Sequence, residues 1–143
     1  MCEDHASDRE VSGGDSGDAG LRQRATILVV EDEGSLRQPV AKMLGKRGFE
    51  VLEAADGTTA IDLLHANAAG IDVVVLDMTI PGSSSLEVVE AAANVRPDIK
   101  VIPTSPYSQE MIEGSMCGPQ IRGFIRKPFQ LGELLKMLRS SSP

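Results

Sequence analysis

Two short runs limit what this chain can fold into more than anything else in it. ILVV at 27–30 and IDVVVLD at 71–77 are apolar almost throughout and rich in β-branched residues. A strand with one wet face alternates polar and apolar residues, so runs like these belong to strands covered on both faces. Such cover is the work of helices, and helical patterns are present. Residues 35–46 place Leu36, Val40, Met43 and Leu44 on one face, 57–67 place Ala60, Ile61 and Leu64, and 84–95 place Leu86, Val89 and Ala93. LGELLKMLR at 131–139 is a closing amphipathic helix, and a weaker helical pattern covers 109–117. EVLEA (50–54), KVIPTS (100–105) and GFIRK (123–127) fit the remaining strands. This alternation predicts an α/β fold, a doubly wound five-stranded parallel sheet with helices on both faces. The two most apolar strands, the first and third, should be central.

Local signals refine the pattern. Ser35 with Gln38 resembles a capping box at the start of the first helix. Pro39 lies beyond the first helical position and is expected to strain or kink the first turn. Pro103 cannot donate to a ladder and argues for a bulge or one-sided pairing in the fourth strand. Residues 1–25 are dominated by Gly, Ser and acids and read as a flexible leader or linker, leaving 26–140 as the folded domain.

Composition excludes several functions. A net charge of −7 with no basic stripe argues against nucleic-acid binding by this chain. Aromatics at 3% provide neither a base-stacking platform nor a sugar site. Cys2 and Cys117 match no metal-ligand spacing and form no disulfide framework, which suits a reducing cytoplasm. No apolar run approaches the roughly 18 residues of a membrane span, and the N-terminus has no signal-peptide core.

In open parallel sheets, ligands bind outside the carboxyl ends of the strands. The residues at those ends are Glu31-Asp32, Asp77, Thr104-Ser105 and Lys127. Each alone has an ordinary reading, as a helix-dipole acid, a turn residue, a cap or a surface charge. Together, with the first and third strands adjacent, they put three carboxylates in one small site. Such crowding raises a pKa or demands a cation, and an all-oxygen set suits a hard ion such as Mg²⁺. A hydroxyl and an ammonium opposite complete a cradle for a phosphoryl group, which the Asp77 carboxylate could accept covalently.

The stretches ILVVEDE, VVVLDMTIPG, PTSPYS and GFIRKPF occur in an order that resembles the response-regulator receiver domain of two-component signalling. That resemblance implies the flavodoxin-like strand order 2-1-3-4-5. It implies that Asp77 is the phosphoacceptor, charged by a sensor histidine kinase or phosphotransfer protein. Glu31, Asp32, Asp77 and the backbone carbonyl of Thr79 would hold Mg²⁺. Ser105 matches the switch hydroxyl, with Thr104 the alternative if the strand shifts by one. Lys127 matches the family lysine, joined to Pro128 by a cis bond, and Phe124 matches the aromatic switch position. Phosphorylation would bias a surface made by the fourth helix, fifth strand and fifth helix, through which the chain could also dimerise. The chain is then a cytoplasmic phosphoacceptor and no enzyme, with slow self-dephosphorylation at most. It could be a single-domain regulator or the C-terminal receiver of a hybrid sensor kinase.

Ser85 stands where the family usually has Gly, and Pro103 and Pro106 bracket the switch hydroxyl. These departures motivate an alternative, a receiver-fold binding module that no longer switches. A flavodoxin-like FMN binder would share the sheet, but EDE after the first strand would repel phosphate. A phosphatase with an aspartyl nucleophile would need an acid where Thr79 stands.

Overall fold

The computed structural model describes residues 25–106, 121 and 123–140. Its elements are β1 (Thr26–Val30), α1 (Gly34–Lys46), β2 (Glu50–Ala54), α2 (Gly57–Ala66), β3 (Ile71–Asp77), α3 (Ser85–Val95), β4 (Lys100–Ser105), β5 (Ile125–Arg126) and α4 (Leu131–Ser140). The five strands form one sheet in the order β2-β1-β3-β4-β5, and every pairing is parallel. The expected helix over 109–117 lies outside the described residues.

The apolar runs take the interior. Alternate residues of β1 and β3 point to opposite faces, and each face meets its own helices. Leu28, Val30, Val74 and Leu76 pack with Ala60 and Leu64 of α2 and Val88 and Ala92 of α3. Ile27, Val29, Val73 and Val75 pack with Leu44 of α1 and Leu134 and Leu138 of α4. A continuous apolar run was required because neither face of Ile27–Val30 or of Val73–Leu76 reaches water.

Helix starts follow capping chemistry that periodicity does not fix. The N-cap of α1 is Glu33 and its side chain makes no capping bond, so the expected Ser35–Gln38 box does not form. Ser35 already lies inside the first turn, because the helix begins at Gly34. The box belongs instead to α3. Ser84 Oγ accepts from the Glu87 N–H at 3.1 Å, and Glu87 Oε1 accepts from the Ser84 N–H at 2.8 Å. α1 continues as one element through Pro39, whose missing N–H falls among exposed residues.

Pro103 has the one-sided role expected of it. Hydrogen-bonding directions alternate along a strand, and the two residues after Pro103 show the sense. The Thr104 carbonyl accepts from Met78 on the β3 side, and the Ser105 carbonyl accepts from Lys127 on the β5 side. The donor that Pro103 lacks therefore belongs to the β5 side. On that side pairing is irregular, with a bridge at Val101↔Ile121 and regular pairs only from Thr104↔Ile125. The β5 side spends one residue more than β4 between those points, and Gly123 at φ +81° lies in that stretch. The strand expected over 123–127 is thereby cut to Ile125–Arg126.

Candidate functional site

The carboxyl ends of β1 and β3 deliver their acids to one place. Glu31 is buried and Asp32 exposed. Asp77, closing β3, is 1% exposed. One oxygen from each of the three carboxylates lies within 4.8 Å of the others. The backbone holding Glu31 is tied twice. Its N–H donates to the Ala54 carbonyl at 3.0 Å, and its carbonyl accepts from Arg37 Nη1 at 2.8 Å. Arg37 reaches back from α1 and also pairs through Nε with Glu53 Oε1 at 3.0 Å.

Lys127 enters from just beyond β5, ahead of a cis bond to Pro128. Its Nζ lies 2.8 Å from Glu31 Oε1 and 3.1 Å from Asp77 Oδ2. The other oxygen of Asp77, Oδ1, accepts from the Thr79 N–H at 2.9 Å and the Thr79 hydroxyl at 2.8 Å. Every oxygen of the Asp77 carboxylate is thus oriented by donors from two loops. Thr104 is in register with Asp77, and Ser105, one residue on, is fully buried. Phe124 is half-buried just before β5.

The electrostatics follow from that arrangement. Burial, with the charge of Asp77 adding to it, raises the Glu31 carboxyl above its ordinary value, against the opposing bond from Lys127. Burial pushes Asp77 the same way, but the Thr79 donors and the Lys127 charge outweigh it, so Asp77 lies below the ordinary aspartate range. Burial would lower Lys127, yet its bonds to Glu31 and Asp77 win and raise it. The site therefore keeps Asp77 ionised and Lys127 charged, while Glu31 ionises against resistance. Three carboxylates facing one ammonium make an all-oxygen set with excess negative charge, and a hard divalent cation such as Mg²⁺ fits it.

Two participants escaped the sequence reading. Arg37 had no signal beyond its place one turn into the first helix. Ser85 was visible as an oddity, and its hydroxyl donates to the Asp77 carbonyl at 3.2 Å.

An acidic cluster around one aspartate, at the carboxyl edge of a 2-1-3-4-5 parallel sheet, defines an aspartate-centred receiver fold. Residues 27–139 match the family model of the response regulator receiver domain, and the chain belongs to that family. It is 33% identical over 114 residues to the sensor kinase CckA of Brucella abortus, covering 80% of this chain and 12% of that protein. It is 33% identical over 117 residues to the sensory transduction protein RegX3 of Mycobacterium tuberculosis, covering 80% of this chain and 49% of the relative. The chain thus spans half or less of these relatives. Sporulation initiation phosphotransferase F of Bacillus subtilis is 29% identical, with 82% of this chain and 93% of that protein covered. Among solved structures, the receiver domain of the hybrid histidine kinase CckA superposes with a TM-score of 0.71 at 29% identity, over 83% of this chain and all of that one. No helix among the described residues is long and apolar enough to cross a membrane.

Proposed function

We propose that this chain accepts a phosphoryl group on Asp77 from the phosphohistidine of a sensor histidine kinase or phosphotransfer protein. The observation that carries this is the convergence on one buried carboxylate of two further acids and an ammonium. An Asp77 oxygen attacks phosphorus, the N–P bond breaks, and its electron pair returns to the imidazole, which takes a proton from solvent. Asp77 is ionised for that attack by the Thr79 and Lys127 contacts described above. Thr79 orients Oδ1 and Lys127 holds Oδ2, and the Lys127 ammonium can then follow charge onto the phosphoryl oxygens. Glu31, Asp32, Asp77 and the carbonyl of Thr79 would hold Mg²⁺, which when bound supplies neutralising charge to the incoming phosphoryl group. Ser105 is the hydroxyl for a phosphoryl oxygen, Thr104 sharing that edge, and Phe124 is the aromatic that responds. The product is an acyl phosphate that biases a partner-binding surface. Thr79 in place of a second acid favours a phosphoacceptor over an enzyme with turnover. A cytoplasmic location suits the partner and the chemistry.

Incubating the protein with Mg²⁺ and a small phosphodonor should give a phosphoryl adduct by mass spectrometry that Asp77→Asn lacks. Absence of the adduct from the unaltered protein would defeat the proposal.

The short β5 opposite Pro103 favours one second reading, a receiver-fold module that binds partners without switching. Beryllofluoride with Mg²⁺ would then leave the amide resonances of Ser105 and Phe124 where they were. Under the first reading both should move.

A further inference from the structure

The Asp77 carbonyl occupies the point at which the ladder of β3 gives out. The Met78 N–H turns to β4, donating to Thr104, so the carbonyl of the preceding residue turns to the β1 side. There the pairing of β1 with β3 stops at Val30↔Leu76. The chain beyond carries the acids Glu31 and Asp32, and the Glu31 N–H is committed to Ala54 of β2. A buried carbonyl left in this position would cost stability for want of a donor. Among the described residues the donor that reaches it is the Ser85 hydroxyl, at 3.2 Å, from a residue only 8% exposed. Ser85 is the first residue of α3, and the Ser84–Glu87 box directly before and around it fixes where that helix begins. The hydroxyl is therefore presented from a rigid helix terminus.

We propose that Ser85 is a positioning residue for Asp77, resting on the phosphoacceptor reading above. It holds the Asp77–Met78 peptide plane, and that plane carries both ends of the grip on the acid. The Asp77 side chain departs from one end, and the turn that brings the Thr79 N–H and hydroxyl onto Oδ1 departs from the other. A glycine at this position has no group to satisfy the carbonyl. The serine exchanges the freedom of that peptide for a fixed carboxylate direction.

The test compares the unaltered full chain with Ser85→Ala and Ser85→Gly, each first shown by circular dichroism and thermal melting to be folded. Phosphorylation by acetyl phosphate with saturating Mg²⁺ is followed as a function of donor concentration, and the carbonyl ¹³C resonance of Asp77 is recorded without Mg²⁺. A lost neutral hydrogen bond that acts on orientation should lower the maximal rate about threefold to tenfold. The half-saturating donor concentration should stay within about twofold, since the loss falls on the reacting geometry and not on donor binding. The Asp77 carbonyl resonance should shift while those of Leu28 and Val29 stay put. Unchanged maximal rates in both variants, or an unmoved Asp77 carbonyl, would overturn the role of Ser85. An unaltered protein that takes no phosphoryl group fails differently, since it removes the phosphoacceptor reading itself.

Discussion

Asp77 shows how a single residue acquires a function from its neighbours. Burial alone would make it a weak acid, and the donors of Thr79 and Lys127 reverse that. The two acids should therefore titrate apart in Mg²⁺-free solution. Carboxyl ¹³C shifts should place the Asp77 midpoint below the ordinary aspartate range and the Glu31 midpoint above the ordinary glutamate range. Their effects on stability have opposite signs. Asp77 contributes stability above the ordinary aspartate range, lost as pH falls through its depressed midpoint. Glu31 costs stability as pH rises from the ordinary glutamate range through its raised midpoint. A single shared midpoint would contradict this geometry. Thr104 supplies a second residue-scale case. It is 2% exposed and borders a small pocket with Val29, Val75 and Phe129. Its hydroxyl has no hydrogen-bond partner among the described residues. Thr104→Val keeps the shape and removes a hydroxyl that has no partner among the described residues, so denaturant unfolding should show a gain of about 1 kcal/mol.

At the scale of elements, starts and stops are set by side-chain chemistry that the apolar pattern does not carry. Ser84→Ala should cost about 1 kcal/mol in chemical denaturation, because it removes the acceptor for the Glu87 N–H at the head of α3. Ser35→Ala should change little, since no capping bond is lost. At α2 the cap is Asp56, accepting from the Thr59 N–H at 2.7 Å, and that bond lowers its pKa. This contribution is complete above the ordinary aspartate range and lost as pH falls through the depressed value, which an NMR titration of the Thr59 amide would register. The second, third and fourth strands matched their expected bounds. The fifth did not, since its length depends on Pro103, a residue twenty positions away that withholds a donor. No local window contains that information. Gly123 carries the same lesson. At φ +81° a Cβ there would run into the Met137 sulfur, so Gly123→Ala should destabilise by at least about 1 kcal/mol on thermal melting.

For the molecule as a whole, β1 and β3 are the rigid frame, paired on both edges and covered on both faces, while β2 and β5 are the edges of the sheet. Native-state hydrogen exchange should find the slowest amides in β1 and β3 and faster ones in β2 and β5. Comparable protection at the edges would contradict that frame. The sequence by itself determined the layer architecture, because a run apolar at every position has no stable home except a strand covered twice. It also determined which residue types gather at the carboxyl edge, since chain direction in a parallel sheet sends every strand end to the same side. Only the tertiary structure decided how those residues meet. That Lys127 bridges Glu31 and Asp77, that Arg37 ties the Glu31 backbone, and that the Ser85 hydroxyl completes the Asp77 carbonyl all depend on distances between groups far apart in sequence. Such distances follow from the order and register of the strands, and hydrogen bonds and ion pairs form or fail within a few tenths of an ångström of them.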